Sequence, residues 1–436
     1  MADVLFEPLK FRNLEIRNRL IRSNMSGRFD NYDGSGTQAR INWETRFARG
    51  GVGAIISSFV PVHVRGRILP NYAMIDSDDK IPFWREVGER VREHGCKFIL
   101  QLSHGGRQRD IAGIEAPEGW SSTAKPDPLH GFRAKAMSKI EIEEVVRQFG
   151  QAAVRAREAG VDGVELHGAN GYLITQFLSS GINDRSDEYG GSLENRARFV
   201  IEIVRSIRAR CGADFHLQMK ISATENNNAM SIGEPRGNTI QDSVKVCQWL
   251  EAEGVDAIHV SGGSSFPHPR NPAGDLPVDD FIRVYDSMIS SGDHTFRNFL
   301  LLRNDITGKL FRERWLKERG DVIEGLNLAD SEAIRKAVSI PVICTGGFQT
   351  ASVIREAIRQ GRCHAVSMAR PLIANPDMPK MFEQGMDRPP VPCTYCNKCL
   401  VNVVENPLGC YDETRFTTRE AMIADILSVF QPPAFP

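Results

Sequence analysis

Eight short apolar runs, mostly alternating with helix-like stretches, constrain the fold more than any other feature of this sequence. Near-continuous apolar strands, each followed by a helix, are typical of a parallel sheet that helices cover. Eight such units in one chain predict an α/β fold, a (β/α)8 TIM barrel. The predicted strands are RLIRSNM from Arg19, GVGAIISS from Gly51, KFILQLSH from Lys97, VDGVELHG from Val161, FHLQMKIS from Phe215, VDAIHVSGG from Val255, PVICTGG from Pro341 and HAVSMAR from His364.

The stretches between these runs have apolar residues at intervals of three and four, with glycine near the C-terminal end, as amphipathic helices do. They include PFWREVGERVREHG, EEVVRQFGQAAVRAREAG, ENRARFVIEIVRSIRARCG and TASVIREAIRQG. A doubly wound nucleotide-binding sheet is the main competing architecture, because GSGTQA at residues 34–39 matches a G-x-G-x-x-A pattern. That segment follows the polar FDNYD instead of a strand, so it lacks the context that the motif requires.

The charge balance argues against some classes of partner. The chain has 436 residues, 54 of them basic and 55 acidic, and its net charge is −1. A nucleic-acid-binding face would show clustered Lys and Arg, so we expect no nucleic-acid partner. No apolar run approaches the roughly 18 residues that span a bilayer. The N-terminal MADVLFEPLKFRN has no apolar secretion segment, so we expect a cytoplasmic protein without a membrane partner.

Two segments exceed a minimal barrel. Residues 264–329 separate the sixth predicted strand from its helix, and we interpret them as a lid-like insertion over the catalytic face, with a solvated excursion as the alternative. Residues 386–436 form a C-terminal extension that contains a cysteine cluster. The barrel domain is therefore predicted to cover residues 1–385.

Polar residues and glycines collect where the predicted strands end, which is where TIM barrels carry their chemistry. Gly346 and Gly347 after the seventh strand allow close approach of the main chain to an anion, and Arg370 after the eighth offers a planar fork to the same group. The other candidates at strand ends are Asn24, Met25, Ser26, Gln101, His104, His167, Asn170, Tyr172, Lys220 and Ala369.

Several motifs together resemble the old yellow enzyme family of FMN-dependent ene-reductases. They are NRLIRSNMS, QLSHGGRQ, VICTGGF, VSMARPLIANPDMP and the long HGANGYLITQFLSSGINDRSDEYGGSLENRARFVIEIV that begins at His167. The resemblance covers roughly residues 5–385 in the same order. It implies one FMN bound in the barrel without a covalent bond, and NADH or NADPH as a transient co-substrate without a separate nucleotide domain.

The resemblance also implies roles for three residues. His167 and Asn170 resemble the pair that hydrogen-bonds the carbonyl oxygen of the substrate, and Tyr172 resembles the residue that protonates the α carbon. A carbon–carbon double bond accepts hydride only when fixed donors hold the developing enolate charge, so two donors and one general acid suit this reaction.

For the flavin, the resemblance assigns Gln101 to the pyrimidine edge of the ring and Ser26 to the C4 carbonyl, next to Asn24 and Met25. It assigns Lys220 to the N1 and C2 carbonyl edge. The phosphate is expected at Arg370 and the main chain of Gly346, Gly347 and Ala369.

Four positions depart from the family pattern. Ser26 stands where threonine or cysteine is usual, Lys220 replaces arginine, Asn24 replaces proline and Ser103 replaces an aromatic residue. Lysine keeps the positive charge but loses the planar fork of arginine. These departures leave the substrate preference open.

Cys393, Cys396, Cys399 and Cys410 follow a C-x2-C-x2-C-x10-C pattern. Four thiolates at such spacing suit a [4Fe-4S] cluster or a zinc site, and unliganded cysteines are the third alternative. The larger relatives 2,4-dienoyl-CoA reductase and trimethylamine dehydrogenase have a similar run after the barrel, followed by nucleotide-binding domains. A cluster in this chain is therefore expected to need an external electron carrier.

The predicted function is transfer of hydride from NAD(P)H, via flavin N5, to the β carbon of a small activated alkene, with Tyr172 as proton donor. The alternatives are an FMN and iron-sulfur dehydrogenase or demethylase, a lyase in which Lys220 forms a Schiff base, and a scaffold without catalysis. Whether the chain forms a homo-oligomer stays open.

Overall fold

The computed structural model describes residues 3–108, 116–226, 237–288 and 293–431, and each of the eight predicted strands is present. Two short pairs of strands accompany them. The strands are β1 (Leu9–Lys10), β2 (Glu15–Ile16), β3 (Leu20–Arg22), β4 (Ala54–Pro61), β5 (Lys97–Ser103), β6 (Gly119–Ser121), β7 (Ala134–Ala136), β8 (Gly163–Gly168), β9 (His216–Ser222), β10 (Ala257–Ser261), β11 (Val342–Thr345) and β12 (Ala365–Met368).

Eight of these strands close into one parallel barrel, which confirms the predicted TIM barrel. Their order around the barrel is β3, β4, β5, β8, β9, β10, β11 and β12, and β12 pairs with β3 to complete the ring. Every residue of β4, β8, β9, β10 and β12 is buried. These strands face the barrel interior on one side and helices on the other, so both of their faces are buried.

A hairpin covers the end of the barrel where the strands begin. β1 and β2 pair antiparallel, with Leu9 opposite Ile16. Apolar side chains of the hairpin and of the strand beginnings form one cluster, made of Leu9, Phe11, Leu14, Ile16, Ile21, Ala54, Ile56, Ile99, Ala257, Ile343 and Ala365. Because this apolar cluster fills the beginning of the barrel interior, a ligand that enters the barrel is expected at the opposite end, where the strands finish.

Helices pack around the barrel and over its open end. They are α1 (Gln38–Arg49), α2 (Ile81–Arg92), α3 (Lys139–Glu158), α4 (Leu173–Leu178), α5 (Leu193–Cys211), α6 (Ile240–Ala252), α7 (Val278–Met288), α8 (Asp293–Arg303), α9 (Asp305–Arg319), α10 (Leu328–Ala337), α11 (Ala351–Arg359), α12 (Arg370–Ala374), α13 (Met378–Glu383), α14 (Lys398–Asn402) and α15 (Arg419–Leu427). The four helical stretches predicted from the sequence correspond to α2, α3, α5 and α11. None of the helices in the described ranges has an apolar run long enough to cross a lipid bilayer.

Helices α7, α8 and α9 lie between β10 and α10, in the segment predicted as an insertion. Residues 289–292 of that segment, and residues 432–436 of the predicted C-terminal extension, are outside the described residues. The two segments pack on each other through one apolar cluster: Leu276, Val284, Phe299, Leu302, Trp315 and Val401. The C-terminal helix α14 therefore forms part of the same layer as α7 to α9.

A buried network of charges lies beneath the loop after β3. Arg40 pairs with Asp30 at 2.7 Å and with Glu44 at 3.4 Å, and none of these side chains is exposed. Glu44 also pairs with Arg22, which is equally buried. Arg40 Nη2 donates to the Gly27 carbonyl at 3.2 Å. The network therefore holds the loop that carries Asn24 and Ser26.

We expect Glu44→Gln to lower the free energy of unfolding by about 3–5 kcal/mol, because it leaves two buried guanidinium groups with one carboxylate fewer. Urea unfolding followed by circular dichroism measures this change. Glu93→Gln is the matched control, since its pair with Arg90 is about half exposed (side chains 45% and 54%) and contributes at most about 1 kcal/mol. If the two variants lost the same free energy of unfolding, the buried charge network would contribute no more to stability than an exposed ion pair.

Candidate active site

A cavity of about 590 Å³ opens where the barrel strands finish. Its wall combines the strand ends with side chains from α7, α8, α9 and α14. The predicted site residues that line it are Asn24, Met25, Ser26, His167, Asn170, Tyr172, Lys220, Ala369 and Arg370. Gln101, Gly346 and Gly347 are not among the described residues that line it.

A sharp turn after β8 brings His167, Asn170 and Tyr172 to the same cavity. Asn170 and Gly171 both have left-handed backbone conformations, with φ of 65° and 87°. Asparagine and glycine are the residues that adopt this conformation most readily. A Cβ atom at position 171 would lie 2.1 Å from the Ser264 carbonyl oxygen, so only glycine fits there. The spacing H-x-x-N-x-Y thus reflects a strand that ends, turns within two residues and starts α4.

The rings of Phe59, His167 and Tyr172 pack against one another on the cavity wall. Tyr172 lies 4.9 Å from Phe59 and 4.8 Å from His167, both edge to face. Burial, together with the positive charge of Lys220, lowers the pKa of His167 well below its usual range. His167 is therefore a neutral imidazole with one N–H, and its Nδ1 atom has no hydrogen-bond partner in the described part of the chain.

Asn170 is tied to two neighbouring strand ends. Its backbone N–H donates to Ser222 Oγ at 3.0 Å, and its side-chain amide donates to Ser261 Oγ at 3.5 Å and to the Gly262 carbonyl at 3.3 Å. The two side-chain contacts are long, so the amide can turn toward a stronger acceptor in the cavity.

Lys220 is held by the residue that replaces the family's proline. Its Nζ atom donates to Asn24 Oδ1 and, at 3.3 Å, to Ser23 Oγ. Burial lowers the pKa of Lys220 to about 8, and the charge of Glu165 only partly opposes that effect. The ammonium group of Lys220, which lines the cavity, therefore loses its proton more readily than that of an ordinary lysine.

Ser26 and Gln101 each have a polar group that can form a further hydrogen bond. Ser26 Oγ accepts the backbone N–H of Phe59 at 3.0 Å, so its own hydrogen can be donated elsewhere. Gln101 Nε2 donates to Glu165 Oε1 at 2.7 Å, whereas the buried Gln101 Oε1 has no partner within the described ranges. Buried acceptors are nearly always paired, so this oxygen fits a donor such as the ring N–H of a flavin. With Lys220, these groups fit the FMN that the sequence resemblance implies.

A polar network that the sequence reasoning missed fills the barrel beneath these residues. Glu165 accepts from Gln101 and Gln218 and contacts His259 Nδ1 at 2.8 Å. Burial alone would raise the pKa of Glu165, but His259, Lys220 and the hydrogen bonds outweigh it and lower the pKa to about 2. Both Glu165 and His259 interrupt otherwise apolar strands, and that interruption is the signal that would have revealed them.

The proposed phosphate residues lie around Tyr395. The Arg370 guanidinium lies 5.3 Å from the centre of the Tyr395 ring, and the Tyr395 hydroxyl donates to the Gly347 carbonyl. Arg370 also donates to Asn397 Oδ1 at 2.5 Å and to the Ala273 carbonyl at 2.7 Å. The Gly346 carbonyl accepts the N–H of Gly325 at 2.6 Å. In this structure protein acceptors therefore engage the Arg370 guanidinium that is predicted to bind a phosphate, whereas the contacts at Gly346 and Gly347 involve only their carbonyl oxygens.

Cys393, Cys396, Cys399 and Cys410 line one small cavity of about 20 Å³, beside Arg415. Burial raises the pKa of Cys393, Cys396 and Cys399, so these thiols are protonated in the absence of a cation. In the described parts of the chain, no group of three or more His, Cys, Asp or Glu side chains is arranged to hold a metal ion. The four cysteine residues thus line one cavity in this structure.

The sequence of this chain is similar to the sequences of several known oxidoreductases. The model of the NADH:flavin oxidoreductase / NADH oxidase family matches residues 4–273. An NADH oxidase from Thermoanaerobacter brockii is 32% identical over 426 residues, 94% of this chain and 58% of that protein. A cinnamate reductase from Clostridium sporogenes is 30% identical over 418 residues, 92% of this chain and 56% of that protein.

Among solved structures, the chain is similar to a 2-naphthoyl-CoA reductase in complex with 2-naphthoyl-CoA. The TM-score is 0.76 at 25% identity, over 94% of this chain and 57% of that one. The chain thus spans between 56% and 58% of the length of these three proteins.

Proposed function

Because this chain belongs to the NADH:flavin oxidoreductase / NADH oxidase family, we propose that it is an FMN-dependent oxidoreductase that uses NADH or NADPH to reduce α,β-unsaturated carbonyl compounds. The observation that carries the proposal is the convergence of His167, Asn170, Tyr172 and Lys220 on one cavity at the open end of the barrel. FMN, when bound, would supply the two-electron chemistry that links NAD(P)H to the β carbon of the substrate.

Side chains of this protein bind the substrate carbonyl, donate the proton and hold the FMN. His167 and Asn170 donate hydrogen bonds to the substrate carbonyl oxygen, where negative charge develops as hydride arrives. Tyr172, two residues after Asn170, delivers a proton to the α carbon. Gln101, Ser26 and Lys220 hold the flavin ring, and Arg370, Ala369, Gly346 and Gly347 bind its phosphate.

Anaerobic stopped-flow spectroscopy of the FMN-loaded protein tests this proposal. NADH or NADPH is expected to bleach the flavin, and cyclohexenone added afterwards is expected to restore the colour. A flavin that NAD(P)H does not bleach, or that only oxygen reoxidises, would refute the ene-reductase assignment.

We expect the affinity for FMN to fall as the pH rises through about 8, because Lys220 then loses its proton and the flavin loses a charged donor. The pKa of about 8 fixes this range, and loss of one charged hydrogen bond corresponds to roughly a tenfold weaker Kd. Fluorescence titration with FMN between pH 6 and pH 10 measures the effect, a range chosen as roughly two units around that pKa. Lys220→Arg is the matched control, since arginine stays protonated throughout. If the FMN affinity of the wild type and that of Lys220→Arg depended on pH in the same way, Lys220 would not be the charged donor to the flavin.

The insertion of residues 264–329 is proposed as a lid over the barrel domain of residues 1–385, with residues 386–436 as a C-terminal extension. The support is that α7, α8, α9 and α14 all contribute to the wall of the cavity.

A second candidate is a dehydrogenase or demethylase that passes electrons through the cysteine cluster to an external carrier. One observation favours it: Arg370, Ile373 and Cys399 line both the large cavity and the small cysteine cavity. Analysis of the purified protein for iron, acid-labile sulfide and zinc distinguishes a [4Fe-4S] cluster, a zinc site and free thiols. Stoichiometric iron and sulfide with slow oxidation of NAD(P)H would favour this candidate over the first.

A further inference from the structure

The outer part of the large cavity is built by the insertion and by α14. Phe281 of α7, Leu302 of α8, Phe311 and Trp315 of α9, and Leu400 of α14 line it. An apolar wall of this kind favours an aryl or alkyl group, because burying apolar surface is what stabilises such a ligand. The part of a ligand that extends away from the strand ends is therefore expected to be apolar.

The charges on the cavity wall have one sign. Lys220, Arg297 and Arg370 line it, and no aspartate or glutamate does so among the residues that the structure describes. Lys220 lies at the strand ends, and Arg370 is engaged by Asn397 and the Ala273 carbonyl. Arg297 is far along the chain from both and belongs to α8.

Arg297 stands on a helix face that is fixed in place. His294, Arg297, Asn298 and Leu301 follow a spacing of three, four and seven, so they share one side of α8, and all four line the cavity. Asn298 Nδ2 donates to the Leu129 carbonyl at 2.7 Å, and the backbone N–H of His294 donates to the His130 carbonyl at 3.0 Å. Helix α8 is thus anchored to the neighbouring loop at residues 127–132, which lines the same cavity through Pro128, Leu129 and His130.

Arg297 itself has no carboxylate partner within the described ranges. Its Nη2 atom contacts only the neighbouring Asn298 Oδ1, at 3.3 Å, among the hydrogen bonds that the structure shows for it. Arg297 is an exposed residue and lines the cavity, so its side chain is accessible to a ligand there. A guanidinium in this position recognises planar anions such as carboxylates through paired N–H donors.

We propose that the substrates of this enzyme carry, besides the activated double bond, an apolar body and a distal carboxylate that Arg297 binds. This inference rests on the proposed function, because it assumes that His167 and Asn170 hold the other end of the same molecule. It disfavours amines, which are cations at neutral pH and find no carboxylate on the described cavity wall. Arg297 thus determines specificity and takes no part in the hydride or proton steps.

Binding of three para-substituted phenols to the FMN-loaded protein tests this proposal. The phenol oxygen mimics the enolate at His167 and Asn170, and the substituents differ in charge: para-ethylphenol is neutral, para-hydroxyphenylpropanoate is anionic and tyramine is cationic. Titration of the long-wavelength flavin absorbance gives each Kd. The anion is expected to bind about tenfold more tightly than the neutral phenol, and tyramine most weakly.

Substitutions of Arg297 distinguish the effect of its charge on ligand binding from the effect of its packing. Arg297→Gln is expected to remove the preference for the anion while leaving the Kd of para-ethylphenol unchanged, and Arg297→Lys to retain part of it. Arg297→Glu is expected to reverse the order in favour of tyramine. Arg303→Gln is the matched control, because Arg303 ends the same helix, lies 5.6 Å from the Phe299 ring and is absent from the cavity wall. A preference that persists in Arg297→Gln, or is absent from the wild type, overturns the proposal.

Failure of this proposal and failure of the proposed function give different results. If para-ethylphenol binds and cyclohexenone reoxidises the reduced flavin, but charge has no effect, only the role of Arg297 is wrong. If neither phenol binding nor enone reduction occurs, the ene-reductase assignment is wrong, and the substrate class inferred from it fails with it.

Discussion

Tyr172→Phe is expected to slow reoxidation of the reduced flavin by cyclohexenone by about 100- to 10,000-fold, the range typical for loss of a general acid. Reduction of the flavin by NAD(P)H is expected to stay near the wild-type rate, because no proton from Tyr172 is needed there. The variant keeps the ring that packs on Phe59 and His167 and removes only the hydroxyl. The two half-reactions, measured separately by stopped flow, should therefore respond very differently.

Tyr72→Phe is the matched control for this experiment. Tyr72 lines the same cavity, and its ring lies 6.0 Å from that of Phe59, so both variants remove one hydroxyl from the same aromatic cluster. The control is expected to keep both rates near those of the wild type. If Tyr172→Phe slowed both half-reactions equally, or if Tyr72→Phe had the larger effect on the enone step, the proton donor would have to be another group.

His167→Ala combined with Asn170→Gly is expected to lower the rate of enone reduction by at least 100- to 1,000-fold, because loss of a single fixed donor to a developing oxyanion already has an effect of that size. Glycine is chosen at position 170 because the backbone φ there is 65°, which alanine would adopt only with strain. The neutral state of His167 means that the lost interaction is a hydrogen bond from an uncharged N–H. The effect should therefore be independent of pH between about 6 and 8, on either side of an ordinary histidine pKa.

The same variant should lose the long-wavelength absorbance band that phenols produce with bound FMN. FMN affinity and the thermal unfolding temperature serve as controls, since Gln101, Ser26 and Lys220 are unchanged. A phenol band of normal intensity in the double variant would show that other groups hold the oxyanion, and the roles of His167 and Asn170 would be rejected.

The barrel could be predicted from the sequence because its physical cause is local. Residues such as Ile55, Val164 and Ile258 are buried in the core that the strands share with the surrounding helices, so each strand has an apolar face that is visible without knowledge of its neighbours. The turn after β8 is similarly local, since asparagine and glycine at 170 and 171 permit the left-handed conformation that exposes the site residues.

Other parts of the site depend on contacts between distant segments, which no single stretch of sequence reveals. Asn24 and Lys220 are 196 positions apart, yet Asn24 Oδ1 accepts a hydrogen bond from the lysine. Glu165 and His259 pair across the barrel interior, 94 positions apart. The place of Arg297 on the cavity wall depends on how α8 packs against the loop at residues 127–132, so periodicity could predict the helix but not its partner.

The shared wall of the two cavities has a consequence for shortened forms of this protein. Side chains between Cys399 and Leu408 line the large cavity, Val401 belongs to the apolar cluster of α7, α8 and α9, and Asn397 and Tyr395 contact Arg370. A truncation after residue 385 would remove one side of the large cavity and the contacts of Arg370, the residue proposed to bind the FMN phosphate. A barrel cut at that boundary should therefore lose bound FMN during purification even if its eight strands still assemble.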